Sequence, residues 1–390
     1  MGILIPIIII ILCCIVIWKA SDGFEASSEY LGRNLSEGVR GATINAIASS
    51  MPELFTTIFF LIFLKDTEGF SGGIGTTAGS AIFNGMIIPA LVILVVLFSG
   101  VTKSIEVSKK VILRDGLSLI IAELILIFSI SGNTLYWWHG LILMATYAAY
   151  IIYMFKSMKE EDTNEESEES VDDDEESESP GLLKALFTLN LEAVFVGEKE
   201  INGKRAWSLL ITSMMVIGLA CLTLVAACEM IGSETYIFPF VGQLNGLNIP
   251  IMFVAVILAS AATSVPDTII SMKDAKKGNY NDAISNALGS NIFDICFALG
   301  FPLFMYCIVY GPIHMNPETI RFSTELRVLL LILTIIAFFI YYIGKNMTRL
   351  KAVLLIGLYL FFTAYIVSLN ANYQWANSLS DLISKFPVFS

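Results

Sequence analysis

Two stretches of the sequence place a carboxylate directly after a proline, just downstream of hydroxyl residues. The first reads A-S-S-M-P-E-L-F-T-T over 48–57, and the second reads A-T-S-V-P-D-T-I-I-S over 262–271. Each is followed by a second polar segment, G-T-T-A-G-S-A-I-F-N over 75–84 and S-N-A-L-G-S-N-I-F-D over 285–294. Carboxylate, hydroxyl and amide oxygens are the ligands that hard cations prefer. The spacing therefore predicts a duplicated cation site.

In the first copy, a helical backbone would bring the polar side chains together. Ser49 and Ser50 precede Glu53 by four and three residues, so both hydroxyls share a helix face with the carboxylate. Pro52 has no backbone N–H and clashes with the preceding turn, which predicts a helix break. We expect the break to free backbone carbonyls near Ala46 as additional ligands.

The second copy repeats the arrangement, with a helix break predicted at Pro266. The further candidate ligands of both repeats are Ser80, Asn84, Thr263, Ser264, Asp267, Ser290 and Asp294. No basic residue occurs in any of the four segments, so the buried carboxylates Glu53, Asp267 and Asp294 need cations or protons to neutralise them. Gly79, next to Ser80, is expected to permit close helix approach.

The elements that position these residues are predicted to be membrane-spanning helices. Hydrophobic residues make up 56% of the chain, charged residues only 15%, and the mean hydropathy is +0.74, which is typical of a polytopic membrane protein. At roughly 20 residues per span, ten spans are predicted. They cover residues 2–19, 37–64, 72–99, 111–131, 135–155, 206–230, 247–272, 281–310, 326–344 and 350–369. Repeated Gly/Pro-interrupted spans in two halves indicate a secondary transporter.

The distribution of lysine and arginine predicts the orientation. With the N-terminus outside, nineteen of the 23 basic residues fall inside. Only Lys65, Arg321, Arg327 and Lys385 fall outside. Because each half then has five spans, the two halves have opposite orientations, and both termini lie outside.

The domain organisation follows from the same count. We expect a first five-helix half over 1–156 (repeat motif 46–84), a cytoplasmic acidic loop over 157–205, and a second half over 206–390 (repeat motif 260–294). Thirteen acidic residues and no basic residue lie in 160–178, so the net charge of −12 describes this loop. Its composition predicts disorder, and Leu182–Val196 is a candidate interfacial helix.

These motifs resemble the two α-repeats of the cation/Ca²⁺ antiporter superfamily, in the sodium/calcium exchanger branch. The resemblance covers nearly the whole membrane part and implies an all-α polytopic protein with two inverted five-helix repeats. It implies Na⁺/Ca²⁺ exchange by alternating access, in which the first and sixth spans move against the other spans. The chain would be an integral protein of the cell membrane, with a monomer as the transport unit. It would bind no nucleic acid and need no cofactor beyond its transported ions.

The resemblance also implies a ligand for each ion. For Ca²⁺ it points to Ser49, Glu53, Thr263 and Asp267. For Na⁺ or K⁺ it points to Ala46, Ser50, Glu53, Ser80, Asn84, Ser260, Ser264, Asp267, Ser290 and Asp294.

The chain departs from the family pattern at three positions, of which only the acidic one bears on ligand chemistry. Ala48 and Ala262 replace the glycines that usually open the motif, and Asp267 stands where many members have glutamate. Aspartate at this position is similar to the potassium-dependent exchangers, in which potassium dependence is linked to the position of Asp294. The same acid also occurs in exchangers that ignore potassium, so K⁺ co-transport stays open.

Other functions remain as alternatives. A H⁺-coupled exchanger of Ca²⁺ or another divalent cation is one, although the G-N-x-x-E pattern of that branch is absent. A passive cation channel is a second. An enzyme is not expected: an intramembrane aspartyl protease would need a G-x-G-D element, which the sequence lacks. Glu123, in the middle of the fourth span, has no role in this interpretation.

Overall fold

The computed structural model describes residues 2–33, 41–99, 105–161, 189–197, 201–344 and 346–384, and helices dominate it. The helices are α1 (Leu4–Leu31), α2 (Ala46–Ser49), α3 (Met51–Leu64), α4 (Asp66–Ser99), α5 (Lys109–Ser129), α6 (Trp137–Glu161), α7 (Leu191–Phe195), α8 (Gly203–Gly232), α9 (Ile251–Val254), α10 (Ser260–Thr263), α11 (Val265–Lys277), α12 (Tyr280–Phe293), α13 (Leu299–Tyr310), α14 (Pro317–Tyr342), α15 (Arg349–Asn370) and α16 (Gln374–Ile383).

Each of the ten predicted spans contains a helix in the described residues. Eight helical spans are long and apolar enough to cross a membrane, and the bent pair Thr43–Ser49 and Met51–Leu64, at an angle of 44°, makes a ninth. The tenth prediction, 111–131, coincides with α5, which carries charged side chains along its 21 residues. The prediction of an all-helical polytopic membrane protein is therefore confirmed.

Several predicted boundaries are wrong. Helix α1 continues to Leu31 rather than ending at residue 19, because Ser21, Ser27 and Ser28 satisfy their hydroxyls by bonding back to carbonyls of the same helix. Helix α14 begins nine residues before the predicted 326, where the Asn316 side chain accepts a 2.7 Å hydrogen bond from the backbone N–H of Thr319.

Arg327, expected outside, lies within α14 and is only 1% exposed. It donates a 3.0 Å hydrogen bond to the carbonyl of Ile127, near the end of α5, and a 2.8 Å bond to Thr324. The amphipathic helix α16 was not predicted; its Ser380 donates to buried Glu325.

Two short antiparallel sheets join the two halves. Strand β1 (Ile105–Glu106) pairs with β6 (Asn346–Met347), and β2 (Thr134–Leu135) pairs with β5 (Ile313–His314). The connection between the third and fourth spans thus meets the one between the ninth and tenth. At the other end, the connections of spans four to five and eight to nine meet. Both pairings join loops that the inverted arrangement assigns to the same side.

Helices α1 and α8 pack along each other, and Ile17, Phe24, Leu209 and Leu224 belong to a hydrophobic cluster that they share with Phe60 of α3 and Ala262 of α10. A larger cluster fills the space among α4, α5, α12, α14 and α15. Among the salt bridges between described residues, Lys273 of α11 contacts α1 twice, through Asp22 at 2.9 Å and Glu25 at 3.0 Å. The α1–α8 pair is therefore packed as a separate layer against the rest.

The central loop is described only in part. Residues 162–188 and 198–200, which include nearly all of the predicted acidic tract, lie outside the described residues. Of the candidate interfacial helix Leu182–Val196, the structure describes residues 189–196; within them Leu191–Phe195 is helical and contacts α1 and α8.

Candidate cation site

Both predicted helix breaks are present, at equivalent positions of the two repeats. Ser50, with φ −93° and ψ 10°, separates α2 from α3. Ser264, with φ −76° and ψ 2°, separates α10 from α11. A proline follows each break in the first turn of the next helix, where its missing N–H has no helical partner to lose. The sequence is thus locally suited to a broken span.

The breaks aim two helix N-termini at the same region of the bundle. Glu53 lies in the first turn of α3 and Asp267 in the first turn of α11. The unpaired N–H groups and the helix dipole make this position favourable for a negative charge. A π-helical turn precedes each broken pair, at Gly41–Asn45 and Ala255–Ala259. Such turns often occur at functional sites.

All the predicted ligand residues are completely buried. Each has a relative exposure of 0%: Ala46, Ser49, Ser50, Glu53, Ser80, Asn84, Ser260, Thr263, Ser264, Asp267, Ser290 and Asp294. Helix α4 can approach the second repeat because Gly79 has no side chain. A Cβ there would meet the carbonyl oxygen of Val256 and lie 2.9 Å from Cβ of Ser260.

Ser80 lies at the centre of the cluster. Its hydroxyl oxygen is 3.0 Å from Oε1 of Glu53, 3.0 Å from Oδ2 of Asp294 and 2.8 Å from the hydroxyl of Ser264. A serine has one hydroxyl proton and can donate to only one carboxylate at a time. At least one of the two carboxylates therefore needs another proton or a cation beside it.

Asp267 receives hydrogen bonds from both halves of the molecule. Asn84 donates to its Oδ2 at 2.9 Å, and Ser290 donates to its Oδ1 at 2.6 Å. Ser290 in turn lies 3.4 Å from the hydroxyl of Ser49. Asp267 is thus fully hydrogen-bonded, whereas Glu53 and Asp294 share Ser80.

The three carboxylates converge on one point. Glu53, Asp267 and Asp294 each offer an oxygen, and these oxygens all lie within 4.8 Å of one another. None of the salt bridges between described residues involves them. Three close negative charges without a basic partner would repel strongly in a buried site, so the arrangement suits positive ions.

Several buried oxygens in the cluster have no hydrogen-bond partner among the described residues. They are Oγ of Ser50, Oε2 of Glu53, Oδ1 of Asn84 and Oδ1 of Asp294. An unsatisfied buried polar atom is costly, and each of these four oxygens can coordinate a cation. The donor set matches the oxygen-only coordination of Ca²⁺ and Na⁺.

The backbone carbonyls of two predicted ligands are already engaged in helical hydrogen bonds. The carbonyl of Ala46 accepts a 3.1 Å hydrogen bond from the backbone of Ser50, and the carbonyl of Ser260 accepts one of 3.0 Å from Ser264. The helix breaks therefore do not free these carbonyls in the described structure. The hydroxyl of Thr263 donates to the Ser260 carbonyl at 3.1 Å.

Sequence reasoning missed two asparagines that hold the site in place. Asn286 donates to Ser271 at 3.0 Å and to the carbonyl of Asp267 at 3.4 Å. Asn291 donates to the carbonyl of Ala81 at 2.9 Å, one residue beyond Ser80. Both asparagines lie in the polar segment 285–294, whose sequence predicts ligands only at its Gly-Ser and Asp positions.

Glu123 is buried behind the site. Its Oε1 accepts a 2.6 Å hydrogen bond from Thr334, and its Oε2 has no partner among the described residues. It is not part of the group of three carboxylates.

Several known proteins are similar in sequence to this chain. The chain is 33% identical over 155 residues to human sodium/potassium/calcium exchanger 3, covering 38% of this chain and 23% of the relative. It is 28% identical over 366 residues to human sodium/potassium/calcium exchanger 5, covering 78% of this chain and 71% of the relative. The chain thus matches less than a quarter of exchanger 3 but most of exchanger 5.

Two solved structures share the fold. The sodium-calcium exchanger NCX_Mj superposes with a TM-score of 0.54 at 22% identity, over 93% of this chain and 99% of that chain. The H⁺/Ca²⁺ exchanger CAX superposes with a TM-score of 0.60 at 13% identity, over 100% of this chain and 90% of that chain.

The family model described as "Sodium/calcium exchanger protein" matches residues 5–156 and 205–368. These two segments contain both helix breaks and all three carboxylates of the cluster. The chain therefore belongs to the sodium/calcium exchanger protein family.

Proposed function

We propose that the protein is a secondary active antiporter that exchanges Na⁺ for Ca²⁺ across a membrane by alternating access. The observation that carries the proposal is the cluster of Glu53, Asp267 and Asp294, completely buried and without a basic partner among the described residues. One Ca²⁺ would offset two of the three negative charges, and several Na⁺ ions would offset the charges of the same carboxylates. Exchange follows if the two ions cannot occupy the cluster together.

We assign to each ion the ligands that the family resemblance implies, and their complete burial in one cluster supports the assignment. Ca²⁺ binds Glu53 and Asp267, with Ser49 and Thr263 beside them. Na⁺ ions bind the same two carboxylates together with Ser50, Ser80, Asn84, Ser264, Ser290 and Asp294. The carbonyls of Ala46 and Ser260 complete the Na⁺ set, although each accepts a helical hydrogen bond in this structure. Asn84 is supported as a ligand because its Oδ1 has no partner while its Nδ2 is engaged.

Proton coupling is the second candidate. The superposition with the H⁺/Ca²⁺ exchanger supports it, and the single shared proton of Ser80 leaves room for a protonated carboxyl. Sodium coupling is favoured by the hydroxyl-rich surroundings of the carboxylates, which supply neutral oxygen ligands for a monovalent metal ion.

Potassium co-transport is a separate variable. The relatives in the sequence comparison carry potassium in their names, and Asp267 is one methylene shorter than glutamate. The shorter side chain leaves more room between the two repeats, which favours a larger monovalent ion. We therefore include potassium in the test.

The test is ⁴⁵Ca²⁺ uptake into proteoliposomes loaded with Na⁺, with choline-loaded and K⁺-loaded vesicles for comparison and external K⁺ varied. We expect uptake that requires internal Na⁺ and is lost in Glu53→Gln. Uptake in choline-loaded vesicles that an imposed pH gradient drives would establish proton coupling instead. Uptake that needs no counter-ion and does not saturate would establish a channel.

A matched control is Glu106→Gln. Glu106 is an exposed acid in β1, remote in sequence from both repeats. Its uptake should equal that of the unmodified protein. Equal loss in both variants would assign the effect to folding rather than to the cation cluster.

The remaining parts of the proposal concern topology and assembly. We infer a monomeric transport unit in the cell membrane, with the termini outside and the central loop in the cytoplasm. The positive-inside distribution supports this orientation, and the pairing of β1 with β6 and of β2 with β5 supports the inverted arrangement of the two halves.

A further inference from the structure

The connection between α8 and α9 is a β-hairpin with an apolar tip. Strand β3 (Thr235–Phe238) pairs with β4 (Gly242–Asn245) in antiparallel register, with Ile237 opposite Gln243. Residues 239–241 form the turn, and their sequence is Pro-Phe-Val. No charged residue occurs from Thr235 to Pro250.

The apolar side chains of this hairpin have little protein contact. Phe240 is fully exposed, Ile237 is 81% exposed and Val241 is 51% exposed. Hairpins that stand in water normally carry charges, which keep their edges from aggregating. A contiguous exposed apolar group usually marks a surface that another phase or molecule covers.

The base of the hairpin is fixed at the edge of the helix bundle. The hydroxyl of Tyr236 donates to the carbonyl of Gly2, just before α1. After β4 the chain runs back along the end of α8, where Leu247 N–H donates to the Ile231 carbonyl at 2.8 Å. The hairpin thus begins at the level where α1 starts and α8 ends.

The neighbouring surface of α1 is apolar and outward-facing. Leu4, Ile8 and Ile11 are 58%, 47% and 54% exposed on a helix that is long and apolar enough to span a membrane. In a bilayer these side chains contact lipid. Because Tyr236 contacts Gly2, the hairpin adjoins the start of this lipid-facing surface, and its exposed side chains extend the apolar character beyond the helix.

We propose that this hairpin is a membrane anchor that inserts Phe240, together with Ile237 and Val241, into the interfacial region of the adjacent lipid leaflet. Its occupant is a lipid surface of zwitterionic character, because the hairpin offers aromatic and aliphatic groups and no charge for an anionic headgroup. Phe and Leu side chains of membrane-surface segments insert at this depth of a bilayer. The anchor couples the start of α1 and the end of α8 to the lipid surface.

The test places a spin label at position 240 (Phe240→Cys) in the full chain, reconstituted as one copy per phosphatidylcholine nanodisc. Collision of the label with molecular oxygen, which concentrates in lipid, is compared with collision with a water-soluble nickel chelate. The matched control is a label at Glu318→Cys, an exposed position at the start of α14, in the same end of the bundle. Signal from the unmodified protein, whose six cysteines are buried or half-buried, is subtracted.

We expect the label at 240 to favour oxygen and the label at 318 to favour the nickel chelate. Equal access of nickel to both labels would mean that the hairpin stands in water and would overturn the proposal. Protection of the label at 240 from both reagents would also overturn it, because the tip would then be covered by protein. Neither outcome depends on which ions are transported.

Discussion

Asn84 of the first half donates a 2.9 Å hydrogen bond from its Nδ2 to Oδ2 of Asp267 in the second half. The same Nδ2 lies 3.3 Å from Ser80, which contacts both Glu53 and Asp294. One amide therefore connects the ligand groups of the two repeats. Its other atom, Oδ1, is buried without a partner among the described residues and is directed at no other donor.

Replacing Asn84 by alanine should weaken cation binding. The substitution removes a hydrogen bond to a carboxylate, which contributes about 1.5–3 kcal/mol, equivalent to roughly a ten- to hundredfold change. We expect the half-saturating internal Na⁺ concentration for Ca²⁺ uptake to rise by that factor. Asn291→Ala, which removes an amide bonded only to a backbone carbonyl, should raise it less. An equal rise in both would contradict a ligand role for Asn84.

Restoring a backbone N–H at Pro52 should damage transport. Pro52→Ala allows a regular helical hydrogen bond across the break, which favours a straighter helix and moves Glu53 away from Ser80. We expect uptake to fall by roughly tenfold or more, and Pro266→Ala to act alike. Pro89→Ala, inside the continuous helix α4, is the control and should keep its uptake. Normal uptake in Pro52→Ala would show that the break is not required.

A methyl group at Gly79 should separate the repeats. Its Cβ would meet the carbonyl oxygen of Val256 and the side chain of Ser260, so α4 would have to move. We expect Gly79→Ala to lose uptake while remaining in the membrane. Gly218→Ala is the control, because a Cβ at Gly218 has no neighbour within 4 Å. Uptake by both variants alike would contradict a need for close approach.

The salt bridges of Lys273 should stabilise contact between α1 and α11. Because the Lys273 side chain is 43% exposed, each pair contributes only about 0.2–1 kcal/mol. We expect Lys273→Gln to leave folding intact and to increase the labelling rate of a cysteine at buried Ser28, in the last turn of α1, by a small factor. Lys276→Gln is the control, since Lys276 is exposed and makes no salt bridge with the described residues. An unchanged labelling rate would mean that the bridges do not hold α1.

Arg327 should matter for stability and not for ion selectivity. Its buried guanidinium bonds the carbonyls of Ile127 and Ser323, which secures the end of α5 against α14. Loss of these charged hydrogen bonds in Arg327→Gln should cost roughly 1.5–3 kcal/mol. The measurement is the fraction of protein that stays monodisperse after heating. The half-exposed Arg321, changed in the same way, should have little effect. Equal heat sensitivity of the two variants would contradict this role.

The site was predictable from sequence because its chemistry is duplicated and unusual. Proline, carboxylate and hydroxyl groups are each costly in an apolar span, so their repetition at matched spacing indicated a shared purpose. The break positions at Pro52 and Pro266 followed from the missing N–H alone. The structure then brought all twelve predicted residues into fully buried positions.

Other features depend on partners that are distant in sequence. The span of Arg327 could not be placed because a charged residue in an apolar segment normally marks a boundary, and only the fold supplies the Ile127 carbonyl 200 positions away. Likewise, Asn286 could be assigned a role only after α11 and α12 were seen together. The engaged carbonyls of Ala46 and Ser260 depend on local bending that a proline does not determine by itself.

The two inter-half sheets also bear on how the chain is made. Strands β1 and β2 belong to the first half, and their partners β6 and β5 are synthesised some 240 and 180 residues later. The carboxylate cluster is divided in the same way, with Glu53 early and Asp267 and Asp294 late. During insertion, the five spans of the first half therefore have unpaired strand edges and an incomplete set of polar contacts until the second half is made. Both sheets can form only after translation has passed β6, in the loop between the ninth and tenth spans. The first half therefore cannot reach its final structure before the second half is inserted.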